Sequence, residues 1–186
     1  VDLVGHWGGK EEATVLVFGG KVPAPHAALA NSLMAHARDF DDTHDGAVVH
    51  ANVAVLPSAL ACAEALGGVS GKTLITAVTL GTDLTCRLGL AVGQGADFTL
   101  RPPGFVRTSV CGIFGAAIAC GKILGLDAEG LRNALGIALS QAGGTRQVVA
   151  DLSLTKRMQP AFAAMAGTLS AFLAKGGITG AKEVLE

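Results

Sequence analysis

The sequence predicts an all-α fold, a bundle of about six to seven helices, on three observations. Apolar residues recur at helical spacing through most of the chain. Paired glycines, Gly67-Gly68, Gly143-Gly144 and Gly176-Gly177, stop three of those runs, and candidate caps, Ser70 and Asp127, open two of them. Half of the residues are hydrophobic, mostly Ala, Val and Leu, and they come with 26 Gly, a mixture that lets helices approach closely.

Residues 1–22 are ambiguous: Ala13-Thr14-Val15-Leu16-Val17-Phe18 is β-prone, and Gly19-Gly20 closes it at once. Pro23 and Pro25 suit the first turn of a helix, where a missing N–H costs nothing. That helix runs through Leu29, Leu33, Met34 and Ala37 and ends near Arg38. A second runs from about Val53 to Leu66, with Pro57 in its first turns. A third, from about Lys72 to Val92, is apolar on most sides, which predicts a central place. A loop rich in Gly and Pro follows from Gly93 to Gly104. The fourth helix spans about Ser109 to Leu124, and Gly112, Gly115, Ala116 and Ala119 give it a close-packing face. The fifth follows Asp127 and carries Leu131, Leu135 and Leu139 on one stripe. The sixth spans about Gln159 to Lys175. Thr179 would cap a seventh, but the chain ends at Glu186; with no Met at Val1, the expectation is one partial domain, 1–186, cut at both ends.

Composition narrows the function classes. Mean hydropathy is +0.49, but the best apolar stretch, Thr108 to Gly121, lies between Arg107 and Lys122 and falls short of the roughly 20 residues a spanning helix needs; no membrane role is expected. Net charge is −1, with no basic run and no aromatics near the arginines, which argues against nucleic acid. Cys62, Cys86, Cys111 and Cys120 have no CxxC spacing and sit in apolar runs. They read as reduced core residues of a cytoplasmic protein.

Two segments break the pattern. Between Asp39 and His50 the chain holds Asp39, Asp41, Asp42, Asp45, His44 and His50, and the first of these carboxylates sit where a helix C-terminus disfavours negative charge. Charges placed against the local field, with no local gain, mark a candidate site. In the second, Lys156 and Arg157 precede the sixth helix, again at the wrong end for its dipole, and together they suit a carboxylate. Metal binding is weighed and set aside. Asp41, Thr43, Asp45 and Gly46 start like an EF-hand loop, but the closing position is Asn52 instead of Glu. His44-Asp45 alone is too short a signature for a metal-dependent phosphohydrolase.

Taken together, the segments resemble the MmgE/PrpD family. The resemblance rests on His36-Ala37-Arg38-Asp39-Phe40-Asp41-Asp42-Thr43-His44, on His50 with Val55-Leu56-Pro57, and on Cys111-Gly112-Ile113-Phe114-Gly115-Ala116-Ala117. Lys122-Ile123-Leu124-Gly125-Leu126, the run from Ala134 to Gly144, and Thr155-Lys156-Arg157-Met158-Gln159-Pro160 extend it in family order. It implies the large helical domain of a homodimeric enzyme, completed by a lid domain absent from this chain. The chemistry implied is metal- and cofactor-free dehydration or decarboxylation of a small di- or tricarboxylate, with epimerisation as the alternative; the fragment alone is expected to be inactive. By motif, His50 moves the proton, Asp39 orients the imidazole, Thr43 contacts substrate or His50, and Lys156 holds the substrate carboxylate; the charge pattern adds Arg157 to that carboxylate seat. One departure stands out: where many members carry His-Pro, this chain has Val106-Arg107. A metal-dependent phosphohydrolase and a non-catalytic paralogue are the readings from other classes.

Overall fold

The computed structural model describes residues 1–93 and 104–185, so the expected loop from Gly93 to Gly104 falls almost wholly outside the described residues. The elements run α1 (Asp2–Trp7), β1 (Ala13–Thr14), β2 (Lys21–Val22), α2 (Ala24–His36), α3 (Val55–Leu66), α4 (Gly71–Gly93), α5 (Arg107–Ile123), α6 (Ala128–Leu139), α7 (Gln147–Ala150) and α8 (Thr155–Lys175). Among the described residues the fold is all-α apart from one two-stranded ribbon, in which Ala13 faces Val22 and Thr14 faces Lys21. The β-prone run forms a strand only over its first two residues, because Val17 turns the chain at φ 69 and Gly19 and Gly20 continue the reversal. Asn31 of α2 pins that turn: its amide donates to the Thr14 carbonyl and its oxygen accepts from Leu16 N, both at 2.9 Å.

The centre of the bundle is α5, buried along nearly its whole length and packed against α3, α4, α6 and α8. Small residues make this possible, as their spacing predicts. A methyl group at Gly115 would overlap Thr85 Oγ1 and stand 2.6 Å from the Gly81 carbonyl, and one at Gly167 would stand 2.6 Å from both Ala116 Cβ and the Ile113 carbonyl. Backbone therefore meets backbone where α4 crosses α5 and where α5 crosses α8.

The expected central place of the third helix is overturned. The buried stripe of α4 is Ala77, Gly81, Thr85 and Gly89, one residue per turn, with Gly81 against α5 and Gly89 against Ala47 and Val49, while Ile75 is 69% and Val92 60% exposed. Its all-round apolarity has no matching all-round burial. By length and composition alone, Gly71–Val92 is apolar enough to cross a membrane, with 22% of its best window buried; Asp83 and Arg87 form an ion pair at 2.7 Å in its middle. The stretch the sequence offered instead, Thr108 to Gly121, is inside α5.

Smaller corrections follow from packing. Ser70 and Asp127 do cap: Ser70 Oγ accepts from Thr73 N at 3.1 Å and Asp127 Oδ1 from Gly130 N at 2.8 Å. On α6, however, Ala134, Ile137 and Ala138 face the core and Leu139 is exposed. No helix forms at Thr179: Gly177 turns the chain at φ 91, and Gly180 lies across α6, where its N–H donates to Asn133 Oδ1 at 3.3 Å. Among the cysteines, Cys62, Cys111 and Cys120 are buried and Cys86 is half-buried; all four are free thiols. Burial pushes the Cys111 thiol up to about 11, consistent with an inert core residue.

Candidate active site

The C-terminus of α2 meets the N-terminus of α8. Asp39 lies three residues past His36, the last residue of α2, and holds a left-handed backbone at φ 55, a conformation Asp tolerates better than most residues. This points its carboxylate across to α8, which starts at Thr155, four residues earlier than its periodicity suggests. Lys156 and Arg157 therefore sit in the first turn, not before it. Asp39 Oδ1 accepts from Lys156 Nζ at 2.5 Å, and Asp39 Oδ2 accepts from Arg157 Nη1 at 2.9 Å. An anion past one helix C-terminus and two cations at another N-terminus are each unfavourable alone; brought together, they neutralise one another. Burial works to raise the Asp39 carboxyl, but the Lys156 hydrogen bond and the charges of Lys156, His36 and Arg157 outweigh it and hold the group below the usual carboxylate range.

His36 lies beneath this cluster, with its side chain 2% exposed. Its Nδ1 contacts both oxygens of Asp41 at 3.0 Å, and its Nε2 faces Asp39 Oδ1 at 3.2 Å and Lys156 Nζ at 3.4 Å. Burial pushes this imidazole below its ordinary value; Asp41 opposes the shift, and Lys156 and His50 add to it. In a neutral ring, a proton on Nδ1 would face Asp41 and leave Nε2 to accept from Lys156.

His50 arrives from the connection between α2 and α3. Its backbone N–H donates to Thr108 Oγ1 on α5 at 3.1 Å. Asp42 fixes the same connection by accepting from Asn52 N at 3.2 Å and Asn52 Nδ2 at 3.1 Å, and Thr82 of α4 donates to Asn52 Oδ1 at 2.6 Å. The His50 ring stands edge-on to His36, centroids 4.7 Å apart. Its Nδ1 is buried 3.2 Å from Asp41 Oδ2, without the alignment of a hydrogen bond, and its Nε2 is 4.0 Å from Asp39 Oδ1.

Both imidazoles and Lys156 line a cavity of about 410 Å³, walled as well by Thr43, His44, Asp45, Val106, Arg107 and Arg146. Val48, on the same wall, is held at φ 55, a strained setting for a β-branched residue and of a kind that clusters at functional sites. The structure thus brings Thr43, His50 and Lys156 to one cavity, with Asp39 behind Lys156. Arg157 is engaged with Asp39 and is not among the residues lining that cavity. Asp39 stands beyond hydrogen-bonding distance of His50, and Asp41 is the carboxylate nearer to that ring. Residue-type reasoning passed over His36 and counted Asp41 among the acids of the candidate segment without giving it a role. The signal was present as a histidine in the last turn of a helix followed by acids three and five positions later.

Donor atoms of His36, Asp39 and His50 lie within 4.8 Å of one another, close enough to hold a cation. The Lys156 ammonium, bonded to Asp39 and in reach of His36, already fills the position of positive charge. Of the residues near the His44-Asp45 doublet, Asp42 accepts from Asn52, and His44 Nδ1 accepts from Ala47 N at 3.1 Å.

Comparison with known proteins agrees with the resemblance read from the motifs. The family described as the MmgE/PrpD N-terminal domain matches residues 1–186. A cis-aconitate decarboxylase of Aspergillus terreus is 36% identical over 176 residues, covering 92% of this chain and 35% of that protein. Those of Homo sapiens and Mus musculus are 38% and 36% identical over 169 residues, covering 89% of this chain and 34% and 33% of theirs. The chain spans about a third of the length of these relatives. It belongs to the MmgE/PrpD family.

Proposed function

We propose that this chain forms the helical part of a lyase that dehydrates or decarboxylates a small di- or tricarboxylate. The observation that carries the reading is the convergence of two imidazoles and one ammonium on a single cavity wall. Lys156 takes a substrate carboxylate in place of Asp39, which occupies the seat between Lys156 and Arg157 when no substrate is bound. The carbon beside that carboxylate then faces His50, an imidazole that can take up a proton or give one back. In dehydration the imidazole removes the carbon-bound proton as the hydroxyl departs; in decarboxylation CO2 departs and the imidazole returns a proton to the carbanion left behind.

Elimination is favoured over epimerisation by the placement of the rings. Inverting a centre takes proton transfer on two faces of one carbon, whereas His36 and His50 stand edge to face on the same wall. The resemblance supports a cytosolic homodimer as the full-length form. Cis-aconitate, named for the relatives, is the first substrate to test. Full-length protein incubated with cis-aconitate, with saturated 2-hydroxy tricarboxylates and with 2-methyl-substituted ones is expected to release CO2 or to develop the ultraviolet absorbance of a new double bond. Absence of turnover across the whole set, from protein shown to be folded, would favour a non-catalytic paralogue.

A further inference from the structure

Asp41 has no part in the chemistry above, yet it is the most enclosed carboxylate of the cluster, its side chain 9% exposed. One of its oxygens, Oδ2, is shared: it stands 3.0 Å from His36 Nδ1 and 3.2 Å from His50 Nδ1. Both rings therefore turn their Nδ1 edge inward to one carboxylate and their Nε2 edge toward Asp39. We infer that Asp41 is a positioning residue that sets the tautomer of both imidazoles at once, so that each keeps Nε2 on the Asp39 side and the pair carries one added proton at a time.

The argument is one of donor and acceptor matching. A carboxylate only accepts, so each ring that hydrogen-bonds to Asp41 must carry its proton on Nδ1. His36 Nε2 is then an acceptor, which suits the Lys156 ammonium 3.4 Å away. The opposite tautomer would set an Nε2–H against the Lys156 ammonium, with Asp39 Oδ1 at 3.2 Å to accept it, and would leave the Nδ1 lone pair facing the Asp41 carboxylate. A single negative charge between two rings stabilises one imidazolium, while a second, with ring centroids 4.7 Å apart, would meet like charge. The orphaned, buried His50 Nδ1 fits this division: His36 holds both Asp41 oxygens in the resting site, and a modest rotation of His50 would bring its own N–H into line when that ring takes a proton. Among the described residues, Asp39 and Asp41 beside α2, Lys156 of α8 and each ring for the other stand against the two imidazoles, and His44, Asp45, Arg107 of α5 and Arg146 line the same cavity.

This inference rests on reading the cavity as an acid/base site, and the test separates the two ideas. In full-length protein labelled with nitrogen-15 at histidine, His36 is expected as the Nδ1–H tautomer, and Asp41→Asn, whose amide N–H can face the ring, should convert it to Nε2–H. With whichever carboxylate proves to be a substrate, Asp41→Asn should lower kcat by on the order of 100-fold with little change in KM. It should also move to lower pH the limb of the kcat profile that reports the imidazole, the acid limb in dehydration and the alkaline limb in decarboxylation, because the carboxylate that favours imidazolium is gone. Asp41→Glu should keep the Nδ1–H tautomer and turnover within about 10-fold of the native protein. It also serves if the asparagine variant does not fold. An Nε2–H tautomer at His36 in the native protein, an unchanged tautomer or pH profile in Asp41→Asn, or a loss in Asp41→Glu as deep as the asparagine variant's would overturn the inference. The tautomer arm needs no turnover, so it stands even if no substrate is found.

Discussion

Two regions of this molecule are held together by opposite means. In the spine of α4, α5 and α8, the decisive residues are those that lack a side chain: Gly81, Gly115 and Gly167 let backbones touch. On the cavity wall, between the end of α2 and the start of α8, the decisive residues are charged, and each is placed against its own helix dipole until its partner arrives. The spine tolerates almost no added volume, because interiors are close-packed. The wall tolerates no loss of charge balance, because an unpaired ion under partial burial is costly. Geometry protects the first, and electrostatics organises the second. Substitutions in the two should accordingly separate stability from turnover.

The largest effect is expected on the wall. His50→Ala in the full-length enzyme should lower kcat by on the order of 100- to 10,000-fold, the usual loss for a general acid or base, while thermal unfolding moves little. Lys156→Ala should instead weaken both kcat and KM, since a group that holds a carboxylate acts in the ground state and in the transition state. A His50→Ala enzyme with native turnover and a much lower melting temperature would place this imidazole with the spine and pass the proton to His36 or His44.

The converse test lies at Gly115. Replacing it by Ala puts a methyl group into Thr85 Oγ1 and against the Gly81 carbonyl, and both obstacles belong to the packed α4–α5 crossing. Overpacking of this kind costs about 1–3 kcal/mol. Chemical denaturation should show the loss, and kcat per folded molecule should stay native because Gly115 faces away from the cavity residues. Equal stability in Gly115→Ala would mean that the two helices separate easily, and the contrast between the regions would weaken.

The same contrast explains what could be read from the sequence. Helices α2, α3, α5, α6 and α8 were legible because caps, paired glycines and 3.6-residue spacing are local signals, and the small face of α5 was legible because Gly112, Gly115, Ala116 and Ala119 recur at that spacing. The peripheral place of α4 was not. Periodicity reports how apolar a helix is, not how many partners surround it, and Ile75 and Val92 look identical in either setting. The site was found through charges in locally wrong places, which is why Asp39, Lys156 and Arg157 stood out. His36 did not, and Asp41 stood out only as one acid of the cluster, because their pairing depends on how the chain turns after His36. That turn runs through the left-handed backbone of Asp39, and no residue-type rule foretells it.

The smallest expected effect belongs to neither region. Asp127 sits at the exposed entry to α6 and accepts from Gly130 N at 2.8 Å, satisfying one of the backbone donors that the first turn leaves without a partner. It touches neither the cavity nor the spine, so its contribution should follow the local rule for a cap. Asp127→Ala should cost about 1 kcal/mol and leave turnover native; Asp127→Asn should keep most of the stability, because the amide oxygen can accept the same bond. The urea midpoint should fall without a change in slope, since no new surface is exposed in the native state. A cost several times larger would show that α6 is coupled to the spine through more than its buried face of Ala134, Ile137 and Ala138. The segment around Gly180, which lies across α6 and bonds to Asn133, would then be the place to look for that coupling.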